Sequence, residues 1–251
     1  MEVHHHPTVE KKSFKEYFLE FLMIFLAVTM GFFAESIRER ITDNSKEKEF
    51  ITSMIEDAAT DTANIHIAFL QNEKRITHLD SLCTICFNYN ATPNEDAEIY
   101  RLYRYALVHP DFISPTERTL LQLKNSGGMR LIRKKAAVDS IIAYDDMAKK
   151  LADQQAYYER YQNESVNSSL ELLNFKYYQS SHTGIRFKNP AIYYVSAQLL
   201  NRDKTKVIQL GNRITIYKGV VDFYNARLME MNDHAINLIN ILKKEYHLEN
   251  E

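Results

Sequence analysis

Cys83-Thr84-Ile85-Cys86 has the spacing of a dithiol redox pair. Such pairs work when they open a helix after a strand, because the helix N-terminus lowers the thiol pKa. Here both cysteines sit on an apolar helical seam near a helix C-terminus, with no strand before them. The spacing therefore predicts buried small hydrophobes, and thiol-redox chemistry at Cys83 and Cys86 stands third among the functional readings. A zinc site would need further ligands, and only His78 is near on the same helix. His4-His5-His6 could bind a transition metal through neutral imidazole, as a weak and unselective site. Asp57 and Asp61, with Glu56 beside them, place two carboxylates at i,i+4 on one helix face, where they could hold a cation or a basic partner. No Glu-x-x-His motif accompanies them to complete a metal core, so the pattern predicts a solvated acidic face. Ser126-Gly127-Gly128 lacks the Lys-Ser/Thr of a phosphate loop and reads as a helix cap. His-Glu-x-x-His, Gly-x-Ser-x-Gly and kinase signatures are absent. The residues nominate no catalytic group and no cofactor.

The elements behind these residues begin with FLMIFLAVTMGFFA, Phe21 to Ala34, fourteen uncharged residues closed by Glu20 and Glu35. The run has no polar face, which suits a bilayer or a protein core. Extension to Tyr17 and Ile37 gives about the 20 residues that a bilayer core requires, with both carboxylates near the headgroups and Tyr17 as an interfacial aromatic. No small-x-small site marks a cleaved signal peptide. Residues 1–12 then form a polar tail, 13–42 a transmembrane helix with its flanks, and 43–251 a helical domain. Lys11, Lys12 and Lys15 before the run nearly balance Arg38, Arg40, Lys46 and Lys48 after it, so charge does not orient the segment. Ala27 and Gly31 form a small-xxx-small pair that lets two helices approach closely and leaves a homo-oligomer open.

With 6 Gly and 5 Pro in 251 residues, the chain is built for long helices and few turns. A net charge of -2 with interspersed signs leaves no footprint for nucleic acid. Ser13-Phe14-Lys15-Glu16 is a capping box that starts the first helix, with a break expected at Thr42 to Ser45. From Ile51 the apolar residues follow a heptad: Ile51, Ile55, Ala58, Thr62, Ile65, Phe69, Asn72, Ile76, Leu79, Cys83 and Cys86. This predicts a long helix to Phe87, ended by Asn88 to Asn94. A short helix over about 95–108 follows. Another starts at Ser114-Pro115-Thr116-Glu117 and stops at the glycines 127 and 128. A long helical stretch spans about 129–179, fraying over 163–169. Asn189-Pro190 opens a helix to Leu200, and Asp203 opens the last one, to near Tyr246. The expected fold is all-α: a transmembrane helix followed by an extended antiparallel bundle with long coiled-coil-like helices.

The opening Met-Glu-Val-His-His-His-Pro, the run Glu20 to Glu35, and Ile55-Glu56-Asp57 with Asp61-Thr62 resemble single-pass membrane proteins of Bacteroidota of uncharacterised function. The Leu121 to Tyr144 segment, with Ser126-Gly127, Leu131-Ile132-Arg133, Ile142 and Tyr144, is similar to the central motif of a related domain of unknown function. The resemblance implies an inner-membrane protein whose helical domain lies outside the cytoplasm, and it brings no catalytic residues. Its expected partners are the lipid bilayer and an envelope protein. The function expected first is a non-enzymatic membrane-anchored scaffold or sensor-like module acting by contact, with the seam Ile51 to Cys86 as the first interaction surface. That seam must be covered by the chain's own later helices or by a partner. The rival reading is a small-molecule-binding bundle lined by Tyr157, Tyr158, Tyr161, Tyr177, Tyr178, Tyr193 and Tyr194.

Overall fold

A computed structural model describes residues 13–107, 112–179 and 197–248. Among the described residues every element is helical: α1 Phe14–Phe87, α2 Pro93–Leu107, α3 Arg118–Asn125, a 3-10 turn Gly128–Leu131, α4 Lys135–Ser169, α5 Lys176–Gln179 and α6 Lys204–Tyr246. The chain divides into two units, Met1–Phe50 and Ile51–Glu251.

The first unit is the leading part of α1. Its start uses the Glu16 half of the capping box, whose carboxylate accepts the Ser13 N–H at 3.0 Å. Within the apolar run the Thr29 hydroxyl donates to the Phe25 carbonyl at 2.7 Å, so the one polar side chain there is satisfied inside its own helix. Phe21, Met23, Ile24 and Phe32 all stand more than 60% exposed, and the helix is long and apolar enough to cross a membrane. Arg38 and Glu35 pair at the run's far edge. The break expected at Thr42 to Ser45 does not occur, and the helix runs through it. Those residues are only weak helix formers, neither Gly nor Pro is among them, and the Thr42 hydroxyl bonds back to the Arg38 carbonyl at 3.0 Å.

The second unit is a four-arm antiparallel bundle. Tyr89 meets Asp96 and Arg75 meets Ala106, so α2 runs down against α1. Arg118 on Asp57 and Thr116 on Asp61 continue that descent through α3. Gln162 meets Leu107 and Ser169 meets Tyr103, so α4 runs up against α2. Lys206 pairs with Glu171 and Arg213 with Glu164, so α6 descends along α4. It also descends along α1, with Lys218 on Asp80 and Asn225 on Glu73. The arms are therefore α1, a broken arm made of α2 and α3, α4 and α6. Helices α1 and α4 are the parallel diagonal pair, touching at Asp61–Tyr144 and Asn72–Tyr158.

Helix α1 buries Ile51, Met54, Ala58, Asp61, Ile65, Ala68, Asn72, Arg75, Leu79, Leu82 and Cys86, an unbroken 3,4 repeat. Ile51, Ile65, Leu79 and Cys86 of the expected seam belong to it, and Cys83 is buried beside it, whereas Ile55, Phe69 and Ile76 are only half-buried. The seam is covered by the chain's own helices. At Ile51, Ile65, Leu79, Cys83 and Cys86 the reading as a partner-facing surface is corrected accordingly: these positions are core.

Local signals set most boundaries. The Asp203 carboxylate caps α6 through the Thr205 N–H at 2.8 Å. Thr92-Pro93-Asn94-Glu95 is a full capping box at α2, with Glu95 accepting the Thr92 N–H at 3.0 Å and Thr92 Oγ1 accepting the Glu95 N–H at 3.3 Å. Gly127 takes φ 69°, the left-handed conformation expected after α3. The stretch expected as one helix over 129–179 is split, because Ile132 turns extended (ψ 106°) and buries its side chain, and the long helix starts only at Lys135. The helix expected from Asn189 lies outside the described residues, except for 197–200, which is not helical.

Candidate functional site

Helix α2 is described to Leu107, residues 112–117 are not helical and α3 starts at Arg118, and side chains of other arms bind the backbone on both sides of this break. A helix end leaves backbone carbonyls or amides without partners, and burying them bare is costly. At the end of α2 the Ala106 carbonyl accepts from Arg75 Nη1 at 3.0 Å, and the Leu107 carbonyl accepts from Gln162 Nε2 at 2.7 Å. Arg75 and Gln162 are themselves buried.

At the start of α3 the roles reverse. Asp61 accepts the Thr116 N–H at 2.9 Å, the Thr116 hydroxyl at 2.8 Å and the buried Tyr144 phenol. Asp57 accepts the Thr119 N–H at 3.0 Å and pairs with Arg118 at 2.6 Å. The two carboxylates are 2% and 1% exposed, which overturns the solvated acidic face. They are N-caps supplied by α1, and the local Ser114 is not used: α3 begins after Glu117, which makes no side-chain cap bond. Cationic and amide donors meet the carbonyl end and anions the amide end, as the helix dipole requires.

Between the two ends, Phe112 packs edge-on against Tyr158 at 4.8 Å and Tyr224 at 6.1 Å. Tyr158 also meets Tyr217 and Tyr224, at 5.4 and 5.3 Å. The Ile113 N–H donates to the Tyr224 hydroxyl at 3.3 Å. Burial pushes the Tyr224 phenol up to about 12, and burial together with Asp61 raises Tyr144, so both stay neutral. On α1, Asn72 is fully buried and its Nδ2 has no hydrogen-bond partner among the described residues.

A third buried carboxylate, Asp96, ties the opposite end of the bundle. It accepts from Tyr89 at 2.6 Å, from the Leu199 N–H at 3.1 Å and from Arg202 at 2.6 Å.

Both cysteines are free thiols packed against α6. Cys83 Sγ lies 3.4 Å from Thr215 Oγ1, and burial pushes its thiol up. Cys86 is raised to about 12, again by burial. A side chain at Gly211 would meet Cys86 Cβ at 3.0 Å and the Phe87 ring at 3.1 Å, so small residues at 86 and 211 let α1 and α6 approach. His78 stacks on Tyr105 at 5.1 Å, and burial lowers its pKa. Among the described residues no three His, Cys, Asp or Glu side chains gather to hold a metal, and His4, His5 and His6 lie outside them.

The tyrosines proposed to line one pocket are dispersed. Tyr158 is core, and Tyr177 and Tyr178 pack on Tyr100. Tyr157 and Tyr161 flank Arg160, and Tyr193 and Tyr194 lie outside the described residues. A groove of about 490 Å³ between α4 and α6 is lined by Ser168, Glu171, Lys206, Gln209 and Arg213, with no tyrosine. Tyr17, Phe21, Ala27, Gly31, Ala34 and Glu35 are exposed on the first unit's helix, Glu20 is half-buried, and nothing lies within 4 Å of a Cβ built on Gly31.

Reading the sequence for chemistry missed Arg75, Gln162, Tyr144 and Thr116. Only Arg75 had a signal, the heptad register: a count from Ile51 that steps first to Met54 places Asp61 and Arg75 on the buried stripe.

Fold and site together define an all-helical protein with a long apolar N-terminal helix and an antiparallel bundle whose second arm is broken and capped by its neighbours. No family model, no curated protein and no solved structure matches the chain.

Proposed function

We propose that this is a membrane-anchored, non-enzymatic helical protein of the bacterial envelope, acting by contact as a scaffold or sensor-like module. The carrying observation is the apolar run at the N-terminus, whose spanning-length window is unburied on every side. Phe, Met, Ile and Leu side chains in that state are covered by lipid far more cheaply than by water. The remaining core is closed by the chain's own helices, so the bundle is free to present its outer faces to a partner. Raised, buried thiols support the non-redox reading of Cys83 and Cys86. Membership of the Bacteroidota single-pass family, and with it a periplasmic bundle, belongs to this proposal and rests on the short motifs at the N-terminus and at Leu121 to Tyr144.

The test is fractionation of cells producing the full chain, with the N-terminus of the membrane-bound product read by mass spectrometry. An integral anchor stays with the membrane after alkaline carbonate and retains Phe21 to Ala34. Release by carbonate, or a product lacking that segment, overturns the anchored reading. A membrane-impermeant thiol reagent on a cysteine introduced at Asn250 then reports the side: labelling in intact cells supports a periplasmic bundle, and protection until lysis overturns it.

A further inference from the structure

The connector between α3 and α4 carries Arg130, Arg133, Lys134 and Lys135, four cations in six residues, all exposed. Elsewhere the chain mixes its signs, and cations such as Lys124, Lys149, Lys206 and Lys218 are paired with acids. Arg130, Lys134 and Lys135 make no ion pair among the described residues. Their position also works against the fold. Lys134 is the N-cap of a 35-residue helix, Lys135 opens it, and no acid stands in its first turn. That end of a helix carries about half a positive charge, so cations there lower stability where Asp or Ser would raise it. A local rule broken without gain inside the fold points to a role outside it.

The bundle's topology fixes where this cluster lies. Helices α1 and α4 are parallel, with Tyr144 on Asp61, so counting back along both brings Lys135 level with Thr52. The cations thus lie at the end of the bundle where α1 enters it. From Ala34, the last apolar residue of the run, to Ile51 the helix is about 25 Å long, so the covalent link keeps this end within about 25 Å of the bilayer.

We propose that the Arg130–Lys135 cluster docks this end of the bundle on anionic phospholipid headgroups of the same membrane. The proposal rests on the anchored reading above. Each Lys or Arg brought to an anionic surface strengthens attachment about fivefold, and salt screens the contact over roughly 10 Å.

The test uses the full chain reconstituted into vesicles of phosphatidylcholine alone or with one-third phosphatidylglycerol. A fluorophore on a cysteine at the exposed Ser126 is quenched by lipids bearing a headgroup quencher. Docking predicts stronger quenching with phosphatidylglycerol, reversal by high salt, and a docked-to-undocked ratio at least about tenfold lower in the Arg130→Glu, Lys134→Glu, Lys135→Glu variant. Acids at the start of α4 favour the helix, so this variant folds, as circular dichroism will show. Equal quenching in both lipids, or no effect of charge reversal, overturns the proposal while leaving the anchor intact. A response to added polyglutamate with none to phosphatidylglycerol also overturns it, in favour of an acidic protein partner. A chain that fails to float with phosphatidylcholine vesicles sinks the anchored reading instead, and flotation separates the two failures.

Discussion

Replacing Asp61 by Ala removes the acceptor on which the restart of the second arm depends. The carboxylate is 1% exposed and receives the Thr116 N–H, the Thr116 hydroxyl and the Tyr144 phenol. Thr116 is half-exposed and can recover part of its loss from water, whereas Tyr144 is 1% exposed and cannot. A hydrogen bond to a charged group contributes about 1.5–3 kcal/mol, and an orphaned buried donor costs about 1–3 kcal/mol, so the variant should lose about 3–5 kcal/mol. That is a large share of the roughly 5–15 kcal/mol by which a domain is folded. Asp61→Asn keeps one acceptor oxygen but turns an amide NH₂ toward the donors, and about 2–3 kcal/mol is expected. The control is Ser114→Ala. A local cap at Ser114 would be worth about 1 kcal/mol, whereas trans-capping predicts a change within ~0.5 kcal/mol. Guanidinium unfolding of the full chain in a mild detergent, followed by far-ultraviolet circular dichroism, measures all three. The reasoning fails if Asp61→Ala stays within about 1 kcal/mol of the parent, or if Ser114→Ala proves the costlier change.

Other consequences follow from close approach, register and titration. Gly211→Ala must push α1 and α6 apart at Cys86 and Phe87, costing about 1–3 kcal/mol and lowering the melting temperature by several degrees. Gly219→Ala meets nothing within 4 Å and should add up to ~1 kcal/mol, so opposite signs in one melting series test the packing. Ile65→Asp, at a buried seam position, should abolish the cooperative unfolding transition, while Ile55→Asp, half-buried one step off the stripe, should retain it. Cys86, Tyr100 and Tyr224 have ordinary values of 9.0, 10.0 and 10.0 and rise to about 12 on burial. Their contribution is therefore fully present below pH 9 and is lost as pH climbs from 9 through 12. Tyrosinate absorbance and circular dichroism should change together over that window, and early tyrosinate formation in a folded chain would contradict their burial.

Residues that act on their own backbone were legible in the sequence. Ser13 with Glu16, Gly127 and Asp203 each set a boundary within a residue or two of where it was expected, because a cap or a left-handed turn is decided within four positions. The box at Thr92 to Glu95 was equally local and passed unread. The interruption at Ile132 to Lys134 had no such signal: neither Gly nor Pro stands there, and what bends the chain is the burial of Ile132 in the bundle. Ser114-Pro115-Thr116-Glu117 misled for the converse reason. Its local form is that of a helix start, but its Thr116 N–H is bound by Asp61 on another arm, and the helix begins after the motif.

The seam shows why polarity rather than pattern caused the larger misreading. Counting apolar residues along α1 took Ile55, Phe69 and Ile76 in place of Met54, Ala68 and Arg75, one step off the buried stripe at every second contact. The count slid because two true positions, Asp61 and Arg75, look like surface residues. They are buried because they serve the broken arm: Arg75 holds the Ala106 carbonyl of α2 and Asp61 the Thr116 amide leading into α3. An unbroken second arm would satisfy those groups within itself, and the same two positions could then be apolar like their neighbours. A carboxylate and a guanidinium two heptads apart on one buried stripe are thus the sequence trace of the break. The acid lies toward the restart and the base toward the stop, the polarity that the dipoles of α2 and α3 demand.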